Sequence, residues 1–222
     1  EAEKSGNGLR IFARYLYSTR RTRKKRFTVE TKGGLVAIDL HIDSHGDASS
    51  ATVEMGQATF RPQALPCSLS AAELIERPIK AAGRSLSFTG VSVGNPHCVV
   101  FREPGQSWTR EELLELGPQL ENHRIFPRRT NVQLAVPVGP KSLYILIWER
   151  GAGETQASGS SSCAAAAAAV RLGLVQSPVT VKAPGGNLHI DVRGEAFELT
   201  MKGPVSEVFS GRLTPAFVRE IR

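Results

Sequence analysis

The chain has 222 residues, enough for one large domain or two small ones with cores of their own. Hydrophobic residues make up 41% of it, yet the longest apolar run, residues 164–170, falls far short of the roughly 20 residues of a membrane-spanning helix, so we expect no membrane association. The net charge is +7 at pH 7, which would suit a phosphate-bearing partner, so the motifs must decide whether one is expected. We predict no secretory signal, because the sequence shows no positively charged segment followed by an apolar core.

Short stretches of alternating polarity recur along the chain, separated by glycine, proline and polar turns. This pattern is typical of a sheet that is rich in antiparallel strands. The predicted strands are 27–31, 34–42, 51–55, 85–93, 97–101, 131–136, 142–149, 179–183, 187–193 and 196–201.

Helices interrupt these strands in four places. The predicted helices are 9–18, 70–77, 109–122 and 160–173. The first places Leu9, Phe12, Ala13 and Leu16 on one face at helical spacing. The second and third begin with a hydroxyl residue followed three positions later by glutamate, the pattern of a capping box, although the second has less apolar support.

The fourth helix contains six consecutive alanines and ends at Gly173, where a left-handed residue commonly closes a helix. Because this helix is small and apolar on every side, we expect strands to enclose it rather than leave it on a surface. A short internal repeat supports a second unit of the same kind: Ser5 and Ser158 are each followed by a glycine, two small or polar residues and a helix. We therefore predict an α+β fold of two similar domains, each with short strands wrapped around a central helix, and a cleft between them.

A basic run, residues 18–27 (STRRTRKKRF), follows the first helix. Such a run can neutralise phosphate groups in a salt-dependent way. The alternative is a solvated helix end, where the helix dipole favours cations. Because no aromatic side chains are interleaved with the run and no nucleic-acid motif accompanies it, we predict no nucleic-acid partner.

The three cysteines, Cys67, Cys98 and Cys163, are scattered and form no C-x-x-C pair. This usage argues against a disulfide framework or a zinc site and favours a reducing compartment, so we expect a cytoplasmic protein. His41 and His45 would share a face of a helix, but they close a strand-like run, where they lie about 13 Å apart. We predict no metal site.

If the N-termini of the helices that follow Ser5 and Ser158 face one cleft, they form an anion site. Each N-terminus supplies unpaired backbone N–H groups and the positive end of a helix dipole. Gly6, Gly8 and Gly159 would let the backbone close on a carboxylate there. The alternative is that Ser5 and Ser158 are ordinary helix caps.

Other polar residues stand at strand ends. Asn95 and His97 flank a proline at the start of one strand, where a histidine is a candidate for an acid–base or hydrogen-bonding role. Asn131 begins another strand in a similar setting. Glu149 and Arg150 end a strand just before the glycine- and serine-rich bend, although such a pair can also be a surface ion pair of small energetic value.

Taken together and in this order, the blocks SGNGLR, GNPHCV, RTNV, ERGAGET and GPVSEVFSG resemble the diaminopimelate epimerase family. That family consists of cofactor-independent amino-acid isomerases of lysine and peptidoglycan precursor synthesis. The resemblance covers nearly the whole chain, and its ERGAGET and NPH blocks are highly specific.

The resemblance implies two domains, 1–62 and 63–207, with 208–222 returning to complete the first. It also implies that the family's opening strands, several tens of residues before the first catalytic loop, are absent here. Two acid–base residues on opposite faces of the substrate Cα exchange its proton without pyridoxal phosphate, metal or other cofactor. The expected partner is a small-molecule amino-acid substrate, and a homodimer is the assembly to test.

Family roles carry over by motif. The resemblance assigns catalysis to Ser5, Ser158, His97 and Glu149, the last two in support of the serine positions. It assigns substrate binding to Gly6, Asn7, Asn95, Asn131, Glu149, Arg150, Gly159 and Ser160.

The family carries cysteine at both acid–base positions, whereas this chain has Ser5 and Ser158. A thiol has a pKa of about 8.5 and water about 15.7, so an alcohol is harder to ionise by roughly 9 kcal/mol. A helix dipole returns only about 0.3–2 kcal/mol of this. We therefore expect very slow or absent epimerisation of LL- and meso-diaminopimelate, and a silent amino-acid binder or a racemase of another amino acid remain the alternatives.

Overall fold

The computed structural model describes residues 5–221, so the first four residues of the predicted first domain and Arg222 lie outside it. Within this range the chain is an α+β protein, as the sequence predicts. The helices are α1 (Gly6–Ser18), α2 (Arg110–Glu121), α3 (Gly159–Arg171) and α4 (Pro215–Glu220), and Pro62–Ala64 form a short 3₁₀ turn. The strands are β1 (Arg26–Thr31), β2 (Gly34–Ile42), β3 (Ala48–Gln57), β4 (Arg77–Ala81), β5 (Arg84–Ser92), β6 (Pro96–Phe101), β7 (Asn131–Gly139), β8 (Ser142–Glu149), β9 (Gly153–Thr155), β10 (Val179–Ala183), β11 (Gly186–Arg193) and β12 (Glu198–Pro204).

The strands form one continuous, curved path in the order β1-β2-β3-β12-β11-β10-β8-β7-β6-β5-β4, with β9 beside β8. Neighbouring strands are antiparallel except for β8 with β10 and β6 with β7, which are parallel. Strand pairing therefore crosses the predicted division after residue 62, because β12 pairs with β3. The division into 1–62 and 63–207, with 208–222 added to the first domain, stays a prediction.

All ten predicted strands are confirmed, with ends that differ by a few residues. The predicted helix 70–77 is wrong, because this segment has no helical turn and Arg77 begins β4. Its backbone groups bond to distant partners instead: Leu74 N donates to Phe60 O at 2.8 Å, and Gly90 N donates to Leu74 O at 2.7 Å. Pro78 also disfavours a helical residue before it, so burial of Leu74 and the proline together override the capping pattern.

The alanine helix α3 is enclosed, as predicted. Every residue from Ser161 to Ala169 is buried, and strands β5 to β8 and β10 to β12 contact the helix. Alanine makes this possible because its methyl side chain lets strand residues approach the helix axis from all sides. Val91, Ile145 and Ile190 supply the larger side chains of the same core.

Helix α1 repeats the start of α3, since both helices have 13 residues and begin with glycine after a serine N-cap. Its burial is different. Leu9 and Ala13 face β2 and β3, but Phe12, predicted on the same face, is 44% exposed. Ile11 is 63% exposed, so one side of α1 carries an apolar surface that the described part of the chain leaves open.

None of the helices formed by residues 5–221 has the length and apolar character that a membrane span requires.

The close wrapping of α3 predicts a strict size limit at its centre. Ala166 is 0% exposed, so an Ala166→Leu substitution should lower the free energy of unfolding by about 1–3 kcal/mol through overpacking. Urea unfolding measures this. The same change at exposed Ala216 in α4 is the control and should stay within about 0.5 kcal/mol of the parent protein. An equal, small effect at both positions would contradict the enclosed helix.

Candidate active site

A cleft with a volume of about 260 Å³ opens where the N-termini of α1 and α3 meet. Its walls are formed by the two helix starts, the end of β8 and the turn before β6. The residues that line it are Ser5, Gly6, Asn7, Asn95, Glu149, Ala157, Ser158, Gly159 and Ser160. All but Ala157 were predicted as site residues, and Ala157 could have been found as the neighbour of Ser158.

Both helix starts present a positive end to this cleft. Neither α1 nor α3 has an acidic residue in its first turn, so no side chain of the first turn neutralises the dipole. The unpaired N–H groups at the start of each helix can donate to the same ligand. The arrangement suits an anion of carboxylate size.

The two starts touch through glycine. A Cβ atom on Gly6 would lie 2.5 Å from Met201 Cε, and one on Gly159 would lie 2.9 Å from Met201 Sδ and 3.5 Å from Gly6 Cα. The sequence suggests that these glycines let the backbone close on a ligand. The structure adds another reason: a side chain at either glycine would displace the end of the Met201 side chain, which packs against both helix starts.

The two serines are held differently. Ser5 Oγ accepts a hydrogen bond from Gly8 N at 3.2 Å and so caps α1. Ser158 also occupies an N-cap position, but its side chain makes no capping hydrogen bond, and the residue is only 6% exposed. Its carbonyl oxygen accepts from Ser162 Oγ at 2.8 Å. The Ser158 hydroxyl is therefore not engaged in capping its own helix, whereas that of Ser5 is.

His97 lies behind the cleft wall and not among the residues that form it. The side chain is fully buried, and its Nε2 is 2.9 Å from Asn95 Oδ1. Burial lowers the pKa of His97 to about 3, with the Gln133 side chain raising it and the charge of Arg150 lowering it further. At neutral pH the ring is uncharged, so it can donate its Nε2 hydrogen to Asn95 and orient that amide towards the cleft.

Two polar residues that the sequence patterns do not predict, Gln133 and Ser161, lie behind His97 and are both 0% exposed. Gln133 Nε2 lies 3.0 Å from Ser161 Oγ in the first turn of α3. Gln133 Oε1 and His97 Nδ1 are both buried without a hydrogen-bond partner. The opposite amide orientation would satisfy Gln133 Oε1, because the Ser161 hydroxyl can donate to it. A glutamine inside an otherwise apolar strand was the available sequence signal.

Asn131 and Arg150 lie beside the cleft and bind each other. Asn131 is 5% exposed, its Nδ2 donates to Pro96 O at 2.9 Å, and its Oδ1 accepts from Arg150 N at 3.0 Å. The Asn131 amide thus ties the turn after β8 to the start of β6. Arg150 is exposed, and its guanidinium donates to Arg128 O at 3.3 Å. Neither residue lines the cleft itself, so substrate contact by these two residues stays a prediction.

Glu149 brings a carboxylate to the cleft at the last position of β8. Thr155 Oγ1 donates to Glu149 Oε1 at 2.7 Å and fixes one carboxylate oxygen. The residue is half-buried and lines the cleft together with Asn95. A carboxylate in this position can accept a hydrogen bond from a hydroxyl or ammonium group of a ligand in the cleft.

The neutral burial of His97 predicts a specific acid sensitivity. Its pKa is about 3 in the folded protein and about 6.5 when unfolded, so the unfolded state binds more protons between these values. The stability from the buried neutral ring is complete above about pH 6.5 and is lost as the pH falls towards 3, by at most about 1.4 kcal/mol per unit.

Urea unfolding of the parent protein and a His97→Asn variant at pH 7.5 and pH 5 measures this effect. The comparison cancels groups common to both, including His123, whose pKa burial also lowers. The difference in free energy of unfolding should shrink at pH 5 by about 1–2 kcal/mol. An unchanged difference would show that His97 is not held neutral by the fold.

Comparison with known proteins shows the family to which the chain is similar. Residues 1–61 and 89–208 match the family model of diaminopimelate epimerase. The diaminopimelate epimerase of Methanothermobacter thermautotrophicus is 38% identical over 215 residues, which are 96% of this chain and 74% of that protein. The diaminopimelate epimerase of Pseudomonas aeruginosa PAO1 is also 38% identical, over 213 residues with the same coverage.

Solved structures show the same fold at low sequence identity. A hydroxyproline epimerase from Agrobacterium vitis superposes with a TM-score of 0.66 at 15% identity. The superposition covers 91% of this chain and 64% of that chain. A PhzF-family phenazine biosynthesis protein from Bacillus anthracis superposes with a TM-score of 0.56 at 16% identity. This superposition covers 91% of this chain and 72% of that chain. With the family model matched over most of its residues and relatives 38% identical over 96% of it, this chain belongs to the diaminopimelate epimerase family.

Proposed function

We propose that this chain binds diaminopimelate and interconverts its LL and meso forms by proton transfer at Cα. The observation that carries the proposal is the cleft itself, where two helix starts, each preceded by a serine, converge on one anion-sized space. The substrate is taken from the relatives, which are named for diaminopimelate. The resemblance implies that no cofactor takes part.

The geometry supports a defined binding mode. The substrate α-carboxylate would accept hydrogen bonds from the N–H groups at the starts of α1 and α3, which also oppose its charge. Its Cα would then lie between Ser5 and Ser158, because each serine immediately precedes one of these helices. Asn95 and Glu149 on the opposite wall would bind the α-amino group, with Asn131 and Arg150 supporting that wall.

Proton transfer would use the two serines in turn. One hydroxyl, relieved of its proton by a base, takes the Cα proton from one face, and the other donates its hydroxyl proton to the opposite face. The protonated base then returns its proton to the second serine, which restores both hydroxyls. The carbanion between these steps is stabilised by the same helix starts that hold the carboxylate. Glu149 is the base that the cleft offers, whereas His97 acts through Asn95 rather than on a serine.

The serines make this step slow. Ionising an alcohol instead of a thiol costs roughly 9 kcal/mol more, and two helix dipoles together offset at most about 4 kcal/mol. This observation favours a second candidate function, binding of an amino acid without turnover. Both candidates share the ligand site and differ only in the proton step.

The setting of the protein is a further part of the proposal. The scattered cysteines favour a reducing compartment, which we propose to be the cytoplasm. We also propose a homodimer, because Ile11 on α1 and Val208 and Phe209 after β12 are exposed apolar residues of the kind that mark interfaces. Light scattering of the purified chain should give twice the chain mass, and a monomer at micromolar concentration would contradict it.

The proton step is tested by deuterium exchange at Cα. NMR would follow LL- or meso-diaminopimelate in D₂O with the parent chain and with a Ser5→Cys/Ser158→Cys variant. We expect exchange at least about 10³-fold faster in the cysteine variant, because the thiols ionise near neutral pH. A variant with only Ser158→Cys is the control and should lack two-base epimerisation.

The outcomes separate the candidates. Exchange in the cysteine variant alone indicates an epimerase site silenced at its two acid–base positions. Exchange of equal rate in the parent chain would contradict the energetic argument and indicate serine chemistry assisted by Glu149. Exchange in neither, together with diaminopimelate binding by calorimetry, leaves the binding function, and the absence of both would reject diaminopimelate in favour of another amino acid.

A further inference from the structure

Glu121, the last residue of α2, is a buried carboxylate that the proposed reaction does not use. It is 5% exposed and accepts three hydrogen bonds. Its Oε2 accepts from Trp148 Nε1 at 2.7 Å, and its Oε1 accepts from Gly151 N at 2.8 Å and Arg129 Nη1 at 3.2 Å. Residues 128–131 and 148–151, which supply these donors, also contain Asn131, Glu149 and Arg150.

The position is costly for a carboxylate. The C-terminus of a helix carries a partial negative charge, and α2 has no basic residue in its last turn to offset it. Removal of a charge from water adds a further cost unless hydrogen-bond donors surround it. A neutral side chain at this end of the helix would avoid both the repulsion by the helix C-terminus and the removal of a charge from water. The carboxylate must therefore have a compensating role, and its three hydrogen-bond donors identify the segments that it holds in place.

The donors converge on the turn that follows β8. Trp148 precedes Glu149, and its ring packs closely against α2, because a Cβ on Gly117 would be 2.7 Å from the indole. Gly151 has φ +79°, a left-handed conformation that suits glycine. The carboxylate therefore fixes the chain on both sides of Glu149 and Arg150. It accepts one hydrogen bond from Trp148, before the pair, and one from Gly151, after it.

The second segment is held from the same point. Arg129 has φ +59°, which is strained for a residue with a side chain, and its guanidinium reaches Glu121 from that conformation. Thr130 N also donates to Glu121 O at 3.2 Å. Asn131 follows directly and accepts from Arg150 N, which joins the two held segments.

We propose that Glu121 is a positioning residue that fixes the Trp148–Gly151 turn and thereby presents Glu149 and Arg150 to the amino-acid ligand. Its carboxylate does not touch the ligand and acts through the turn. This inference rests on the proposed function for the identity of the ligand, but not for the effect on the turn.

The test replaces the charge and keeps the shape. Glu121→Gln retains one acceptor oxygen and places an NH₂ group among three donors, so at least one donor loses its partner. Glu115→Gln is the matched control, because Glu115 lies on the same helix and forms only an exposed ion pair with Arg84 at 3.0 Å. Trp148→Phe removes one donor and keeps a ring against Gly117, so it serves if Glu121→Gln does not fold.

Two measurements are made on each variant. Amide hydrogen exchange, resolved by NMR without ligand, compares Arg150 and Gly151 with the buried amides of α3. Calorimetry with meso-diaminopimelate gives the affinity well below the unfolding temperature. In Glu121→Gln we expect about tenfold or faster exchange at Arg150 and Gly151 and about tenfold weaker binding, as for loss of one hydrogen bond to a charged group. Glu115→Gln should change both by less than about twofold.

The outcomes keep the two proposals apart. If the parent chain does not bind diaminopimelate while exchange at the turn still rises in Glu121→Gln, the proposed ligand is wrong and the positioning role stands. If exchange rises equally in the turn and in α3, Glu121 stabilises the fold as a whole and the inference is overturned. Unchanged exchange at Arg150 and Gly151, or unchanged affinity in a parent that binds, also overturns it.

Discussion

The site depends on holding two positive helix ends side by side. Each helix start carries about half an elementary charge, so the direct approach of Gly6 to Gly159 brings like partial charges together in a half-enclosed cleft. No acidic side chain in either first turn relieves this repulsion. The packing of the sheet around α3 and of β2 and β3 against α1 supplies the energy that keeps the ends in place. An anion in the cleft is therefore favoured before any side chain contacts it.

The side chains in and beside the cleft are held by a different principle, since each is fixed by a polar partner. His97 fixes Asn95, Thr155 fixes Glu149, and Asn131 ties Arg150 to the start of β6. A buried polar group that lacks a partner is costly, so these pairs have few alternative arrangements. The helix starts thus supply fixed backbone charge, and the residues around them supply side chains with restricted orientation. Such preorganisation reduces the entropy lost when a small ligand is bound.

The sequence predicts those features of the structure that depend on neighbouring residues in the chain, and it fails where residues distant in sequence are in contact. The alanine run predicts an enclosed helix because size and polarity are properties of each residue, and strand alternation is equally local. Helix 70–77 was wrong because Leu74 bonds to Phe60 and Gly90, contacts that local pattern does not contain. Gln133 was missed for a related reason, since its partner Ser161 belongs to another element. The resemblance located the wall residues by motif, but only the fold distinguishes those that line the cleft from those behind it.

The unequal enclosure of the two central helices gives the site a rigid side and a compliant side. Ser158 is attached to α3, whose core is packed on every side, whereas Ser5 is attached to α1, whose outer face is open at Ile11 and Phe12. Local opening is least costly where few apolar contacts must be broken. A displacement of the helix start is therefore less costly in α1 than in α3. Of the two serines at the cleft, Ser158 is therefore attached to the rigid helix and Ser5 to the compliant one.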